Sequence, residues 1–153
     1  MGWFARHGWW GLFAVALIFV AFGLTDMASG AAADPAIALG LTGQPLEQLE
    51  AESAAAYGLY DFVSRSQGWS LVLLGVLIAV IVLIPFRRGE RWAWWTAWAL
   101  PVWAAGVPIF YLVAGLAPDQ PPPPPMISGP IVAMLCAAIL VLSRPRVAAS
   151  ASA

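Results

Sequence analysis

The chain has 153 residues, 61% of them hydrophobic and 10% charged, with a formal net charge of −1. That balance excludes a water-soluble globular domain, and the lack of a basic surplus excludes a nucleic-acid binder. All seven basic residues are arginines, lysine and asparagine are absent, and the wealth of Ala, Gly and Pro reads as the product of a GC-rich bacterial genome.

Four apolar stretches dominate, at about 9–25, 69–86, 92–116 and 127–143, and none contains Asp, Glu, Lys or Arg. At about 1.5 Å per helical residue each can cross a hydrocarbon core of roughly 30 Å. A backbone in lipid must satisfy its own hydrogen bonds, which a helix does within one segment. The expected fold is all-α: an integral membrane four-helix bundle with a helical extracytoplasmic loop between spans one and two. Residues 1–146 form a single transmembrane domain, 26–67 the outer loop and 147–153 a disordered tail.

The first span follows Arg6 and is followed by Ala31-Ala32-Ala33 before Asp34, so it has the outline of a secretory signal as well as of an uncleaved anchor. Its apolar run is long for a signal core, which favours the anchor. In the loop, Asp34 and Pro35 form a helix start that Gly40 can stop. A second helix is expected from Pro45, carrying Leu46, Leu49, Ser53, Tyr57, Tyr60 and Val63 at steps of three and four, with Glu47, Glu50 and Asp61 on the solvated side. Gly68 is expected to break it before Trp69 enters the membrane.

Spans two and three are joined by residues 87–91 and must be antiparallel neighbours. Span three carries Pro101 and Pro108, seven apart and hence on nearly one face. Each proline removes a backbone donor and frees the carbonyl four residues earlier, at Ala97 and Ala104, so the helix should bend there. Ala97, Pro101, Trp103, Ala104 and Pro108 are therefore the candidate lining of an apolar-ligand pocket. Beyond it, five prolines at 121–125 favour an extended, stiff spacer into span four. Gly75 with Ala79, and Ala133 with Ala137, are small pairs suited to close helix contacts.

Arginine sets the topology. Arg6, Arg87, Arg88, Arg91, Arg144 and Arg146 fall on one side of a four-span chain, with Arg65 alone opposite. Positive charge near span ends stays in the cytoplasm, which places the protein in the cell (inner) membrane with both termini cytoplasmic. Seven of the eight acids lie on the other side, Glu90 being the exception. Arg87, Arg88, Arg91, Trp92, Trp94 and Trp95 read as a lipid-headgroup anchor, since guanidinium groups meet phosphates and indole rings favour the interface.

Catalytic chemistry is hard to assemble from what remains. No span holds an ionisable residue, the signature of proton and ion paths. A single histidine, His7, excludes paired-histidine haem ligation, and a single cysteine, Cys136, excludes an intrachain disulfide or a zinc site. No catalytic, cofactor or metal site is expected, and acid–base chemistry would have to work from Asp26, Asp61, Tyr57 or Tyr60.

The run Ile84-Pro85-Phe86-Arg87-Arg88-Gly89-Glu90-Arg91-Trp92-Ala93-Trp94-Trp95 resembles a turn found in small bacterial four-span membrane proteins of no assigned activity, in which an early proline follows, as Pro101 does here. The resemblance covers about 50 residues, spans two and three, and implies a four-span topology and an anchoring turn. Likeness to four-span families that bind sterols or quinones is analogy of fold alone, and the intramembrane acids of the sterol-binding group are absent. The expected function is a non-catalytic multi-pass membrane protein, an accessory or structural subunit or an oligomeric scaffold, whose partners are the bilayer and a membrane protein or a second copy. The alternative is a carrier or sensor of an apolar ligand, a lipid or isoprenoid, held beside the proline-bent third span.

Overall fold

The computed structural model describes the backbone of residues 2–144 and side chains from His7 onward. The expected tail, Arg146 and the side chains of Trp3 and Arg6 lie outside the described residues. Every regular element of the described chain is helical: α1 Gly2–Ser29, α2 Pro35–Thr42, α3 Leu46–Glu52, α4 Ala54–Ile81, α5 Arg91–Ala97, α6 Ala99–Ala114 and α7 Pro124–Leu142. A 3₁₀ turn, Gly30–Ala33, follows α1, and a wider turn, Val82–Phe86, extends α4. Four stretches are long and apolar enough to cross a membrane: His7–Ala33, Ala54–Phe86, Arg91–Ala114 and Pro124–Leu142. Their large side chains stay outward in numbers that water would not tolerate, including Phe62, Phe110, Leu112 and Val113. Such exposure suits a lipid environment, and these features together indicate a membrane protein.

The tightest pairing is α1 against α4, and glycine makes it possible. A Cβ added to Gly68 would lie 2.6 Å from the Gly23 carbonyl oxygen and 2.8 Å from the Met27 nitrogen. At Gly75 it would lie 2.7 Å from the Ala16 carbonyl oxygen. Ala16 and Gly23 on α1 thus meet Gly75 and Gly68 on α4 in a seam that repeats every seven residues, the spacing that keeps two helices in contact. Gly68 therefore does not break a helix, as its sequence context suggests. It lies inside α4, because glycine is tolerated in a helix where a neighbouring backbone occupies the space of its side chain. The break lies at Ser53, in extended conformation, whose hydroxyl accepts from the Ala56 N–H and caps α4.

A polar clamp closes the far end of α1. Arg65 pairs with Asp61 at 2.8 Å and donates to the carbonyls of Met27 and Ala28 at 2.7 and 3.1 Å. Asp61 in turn accepts from the Ala31 N–H at 3.0 Å. The chain turns there through Gly30 at φ +57°, where a Cβ would strike the Asp61 carboxylate. Asp61, expected on a solvated face, is thus a structural acceptor, and Arg65 caps the last carbonyls of α1.

Over this end lies a small cap. α2 runs through Gly40 and stops at Gly43, in the left-handed region, rather than at Gly40 as expected. Gly40 is occupied instead by packing: a Cβ there would lie 2.6 Å from Pro123, and its carbonyl accepts from Ala117. Ala31, Ala38 and Leu46 form a second small core with Tyr57 and Tyr60, and the Tyr60 hydroxyl donates to the Asp34 carbonyl at 3.0 Å. The five-proline run is divided in two. Pro123 is buried in the cap with an extended backbone, and Pro124 and Pro125 open α7, where a missing N–H costs no helical bond.

At the opposite end the main core gathers Leu12, Ala16, Val82, Leu100, Cys136 and Leu140 from all the long helices. Pro85 cannot donate, and the last turn of α4 widens so that Arg87 N–H reaches the Val82 carbonyl. Substituting Gly68 with alanine should lower stability by about 1–3 kcal/mol, since backbone atoms would have to move. Gly58, with nothing within 4 Å of its added Cβ, should gain up to about 1 kcal/mol on the same change. Unfolding of the two variants in mixed detergent and SDS micelles measures both.

Candidate functional site: a lateral cleft between α4 and α6

The bundle closes well at its arginine-rich end and opens at the other, because α4 and α6 hardly meet. Between them runs a half-open cleft of about 580 Å³. Phe62, Val63, Ser66, Gln67, Ser70, Leu71 and Leu74 form the α4 wall. Trp103, Val107, Phe110, Tyr111 and Ala114 form the α6 wall, and Leu41 of α2 closes the top. The two helices are antiparallel, so Leu71, Leu74, Trp103 and Val107 lie deep, while Ser66, Gln67 and Tyr111 lie towards the cap. The lower part is therefore apolar and the upper part carries neutral hydrogen-bonding groups.

The expected proline-lined pocket divides on this geometry. Ala97, Pro101 and Ala104 are buried in the bundle, and only Trp103 of the five faces the cleft. Trp103 also packs its ring against Phe19 at 5.1 Å between centroids. The freed carbonyl of Ala104 meets α7: a Cβ added to Gly129 would lie 2.8 Å from it and 3.4 Å from Pro108. Gly129 thus brings a bare backbone against the proline notch. The proline face is filled by packing, and the open volume lies on the adjoining face of α6. The bend expected at Pro101 shows as the interruption at Trp98, one turn earlier, between α5 and α6.

The headgroup-anchor residues also separate. Arg87, Arg88, Arg91, Trp92 and Trp95 are exposed around the turn, and the Arg87 guanidinium sits 5.0 Å from the Trp9 ring centre. Trp92 donates its indole N–H to Glu90. Trp94 departs from the expectation: it is 8% exposed and donates to the Leu140 carbonyl at 2.8 Å, tying α5 to α7. Its ring stacks edge-on with Trp95 and Trp98, and the Trp98 indole N–H is buried with no partner among the described residues. Periodicity places Trp94 on the face of the buried Ala97, one helical turn on, but the carbonyl that accepts its N–H belongs to another helix.

Of the groups singled out for acid–base chemistry, Asp26 and Tyr60 come together beneath the cap, whereas Asp61 is held in the Arg65 clamp and Tyr57 packs against the small core. The carboxylates of Asp26 and Asp34 lie close enough to feel each other's charge, and both act on the hydroxyls of Tyr60 and Tyr111. Sequence reasoning missed Asp34 and Tyr111 as members of this set, because the contact joins segments 77 residues apart in the chain. Among the described residues no three His, Cys, Asp or Glu side chains are placed to hold a metal ion. Burial is the main cause that pushes the Asp34 carboxyl above the usual carboxylate range. A raised carboxyl pKa favours the folded state below the unfolded pKa of about 3.9 and loses that advantage as pH rises through the folded value. Asp34→Asn should accordingly raise the thermal midpoint at neutral pH and change little near pH 3, as thermal unfolding across pH would measure.

The chain matches no protein-family model, no curated protein and no solved structure.

Proposed function

We propose that this is a non-catalytic, multi-pass protein of the cell membrane that carries or senses an apolar ligand held between α4 and α6. Both termini face the cytoplasm and the acidic cap faces outward. The distribution of arginine supports that orientation. The carrying observation for the function is the cleft itself: about 580 Å³ lies within the range of small-molecule sites. From Phe62 to Leu74 the α4 wall is about 18 Å long at 1.5 Å per residue. Apolar side chains line most of that length and no charged residue is among them, so the site suits an extended lipid or isoprenoid chain. Against enzymatic use, Asp61 is engaged by Arg65 and the Ala31 N–H, and Tyr60 by the Asp34 carbonyl.

The second reading, an accessory subunit or oligomeric scaffold, draws on the outer flank of α6. There Val102, Ile109 and Val113 present an apolar surface that suits a neighbouring helix as well as lipid.

The protein purified from its native membrane in mild detergent should carry one lipid or isoprenoid in near-stoichiometric amount by mass spectrometry. Val107→Trp, which fills the deep end of the cleft, should reduce the bound chain at least about tenfold, a loss of about 1.4 kcal/mol. Val113→Trp, on a position 81% exposed outside the cleft, should leave it unchanged. Equal recovery from all three proteins would overturn the ligand reading, and a stoichiometric protein partner would establish the second.

A further inference from the structure

The upper half of the cleft has a chemical character that selects the head of its ligand. Gln67 lines it from α4 and Tyr111 from α6, and Ser66 stands one residue before Gln67. The side chains of Ser66, Gln67 and Tyr111 make no hydrogen bond to another described residue, unlike Ser70, whose hydroxyl donates to the Ser66 carbonyl at 3.1 Å. An amide and two hydroxyls can both donate and accept. Among the described residues no free cation accompanies them: Arg65, next to Ser66, is turned to α1, where Asp61 and the carbonyls of Met27 and Ala28 hold it. The nearby charge is negative, because Asp26 and Asp34 both act on the Tyr111 hydroxyl. An anionic head placed there would find no guanidinium among the lining residues, and the field of Asp26 and Asp34 beneath the cap would oppose it. A hydroxyl or carbonyl head would meet groups that match it. Below, Leu71, Leu74 and Val107 offer only apolar contact, and Trp103 adds an indole ring whose N–H is its one polar group.

On these grounds we infer that the cleft takes a single-chain amphiphile with a neutral hydroxyl or carbonyl head, seated head-up against Gln67 and Tyr111 with its tail beside Trp103. This rests on the ligand reading above and adds the class of ligand. Both an acyl alcohol and an isoprenoid alcohol satisfy that chemistry.

Trp103 is a built-in reporter of the tail. The full chain in phosphatidylcholine nanodiscs would be titrated with chain-brominated stearyl alcohol, a brominated isoprenoid alcohol and chain-brominated stearyl phosphate. The signal is the saturable quenching present in the wild type and absent in Trp103→Phe. The alcohols should saturate it at about tenfold lower mole fraction than the phosphate, and the tighter of the two identifies the chain type. Gln67→Leu combined with Tyr111→Phe should weaken the alcohols about tenfold, as expected for two hydrogen bonds. Gln67→Lys should shift the preference towards the phosphate, a gain that a misfolded variant would not show. Phosphate binding as tight as the alcohols in the wild type, or an unchanged double variant, would overturn the head-group assignment and leave the cleft as a chain site. Absence of saturable quenching by all three probes would sink the cleft as a binding site altogether.

Discussion

Close contact between the backbones of α1 and α4 is the constraint from which the rest of the architecture follows. Lipid offers no hydrophobic drive to bring two apolar helices together, so contact depends on surfaces that interlock at short range. Ala16 and Gly23 set against Gly75 and Gly68 provide one, with carbonyl oxygens lying where side chains would otherwise be. The pairing places Asp61 and Arg65 beside the end of α1, which makes the polar clamp possible. It also places Phe19 beside Trp103 and draws α4 to the α1 side of the bundle. α6 is drawn the other way by its own close approach, Gly129 of α7 against the Ala104 carbonyl. Two tight pairs pulling apart leave a gap between α4 and α6. The cleft is thus a consequence of glycine placement on the helices at its back.

The prolines of α6 have a corresponding role. A proline inside a transmembrane helix leaves a carbonyl without its usual donor, and in lipid that group must be screened by protein. Pro108 and the Ala104 carbonyl are turned to α7, where Gly129 allows backbone approach. The same turn of the helix that buries the proline face presents Trp103, Val107 and Tyr111 to the gap. The proline positions therefore govern the site indirectly, by fixing how α6 is rotated.

Polar groups in the bundle fall into two sets. One set holds the fold: Asp61, Arg65, Tyr60 and Trp94 each bridge two elements through backbone atoms. The other, Ser66, Gln67 and Tyr111, stands along the cleft without such a task. The neutrality of this second set matters. Neutral groups add hydrogen-bonding capacity at the edge of an apolar region without the cost of burying a charge.

Composition and the spacing of apolar runs were enough to establish helices long enough for a bilayer, the acidic segment between the first two and the arginine-rich turn between the next two. Those properties depend on each segment's own transfer from water to lipid, which any single helix experiences alone. The loop was legible in part: Pro35 and Pro45 mark helix starts because the fixed φ of proline and its missing N–H suit a first turn, a local effect, although the Asp34 side chain makes no cap hydrogen bond. Gly68, Ser53, Trp94 and the proline face were beyond it, since each takes its role from a neighbour. A glycine inside a helix is a weak point in isolation and a contact surface when another backbone lies against it. A tryptophan near an arginine turn is an interfacial anchor until a carbonyl on α7 accepts its N–H. The sequence by itself thus determined the number, length and polarity of the helices. Only the tertiary structure decided which faces meet and where they part, because the position of the cleft depends on close backbone approaches between segments far apart in the chain.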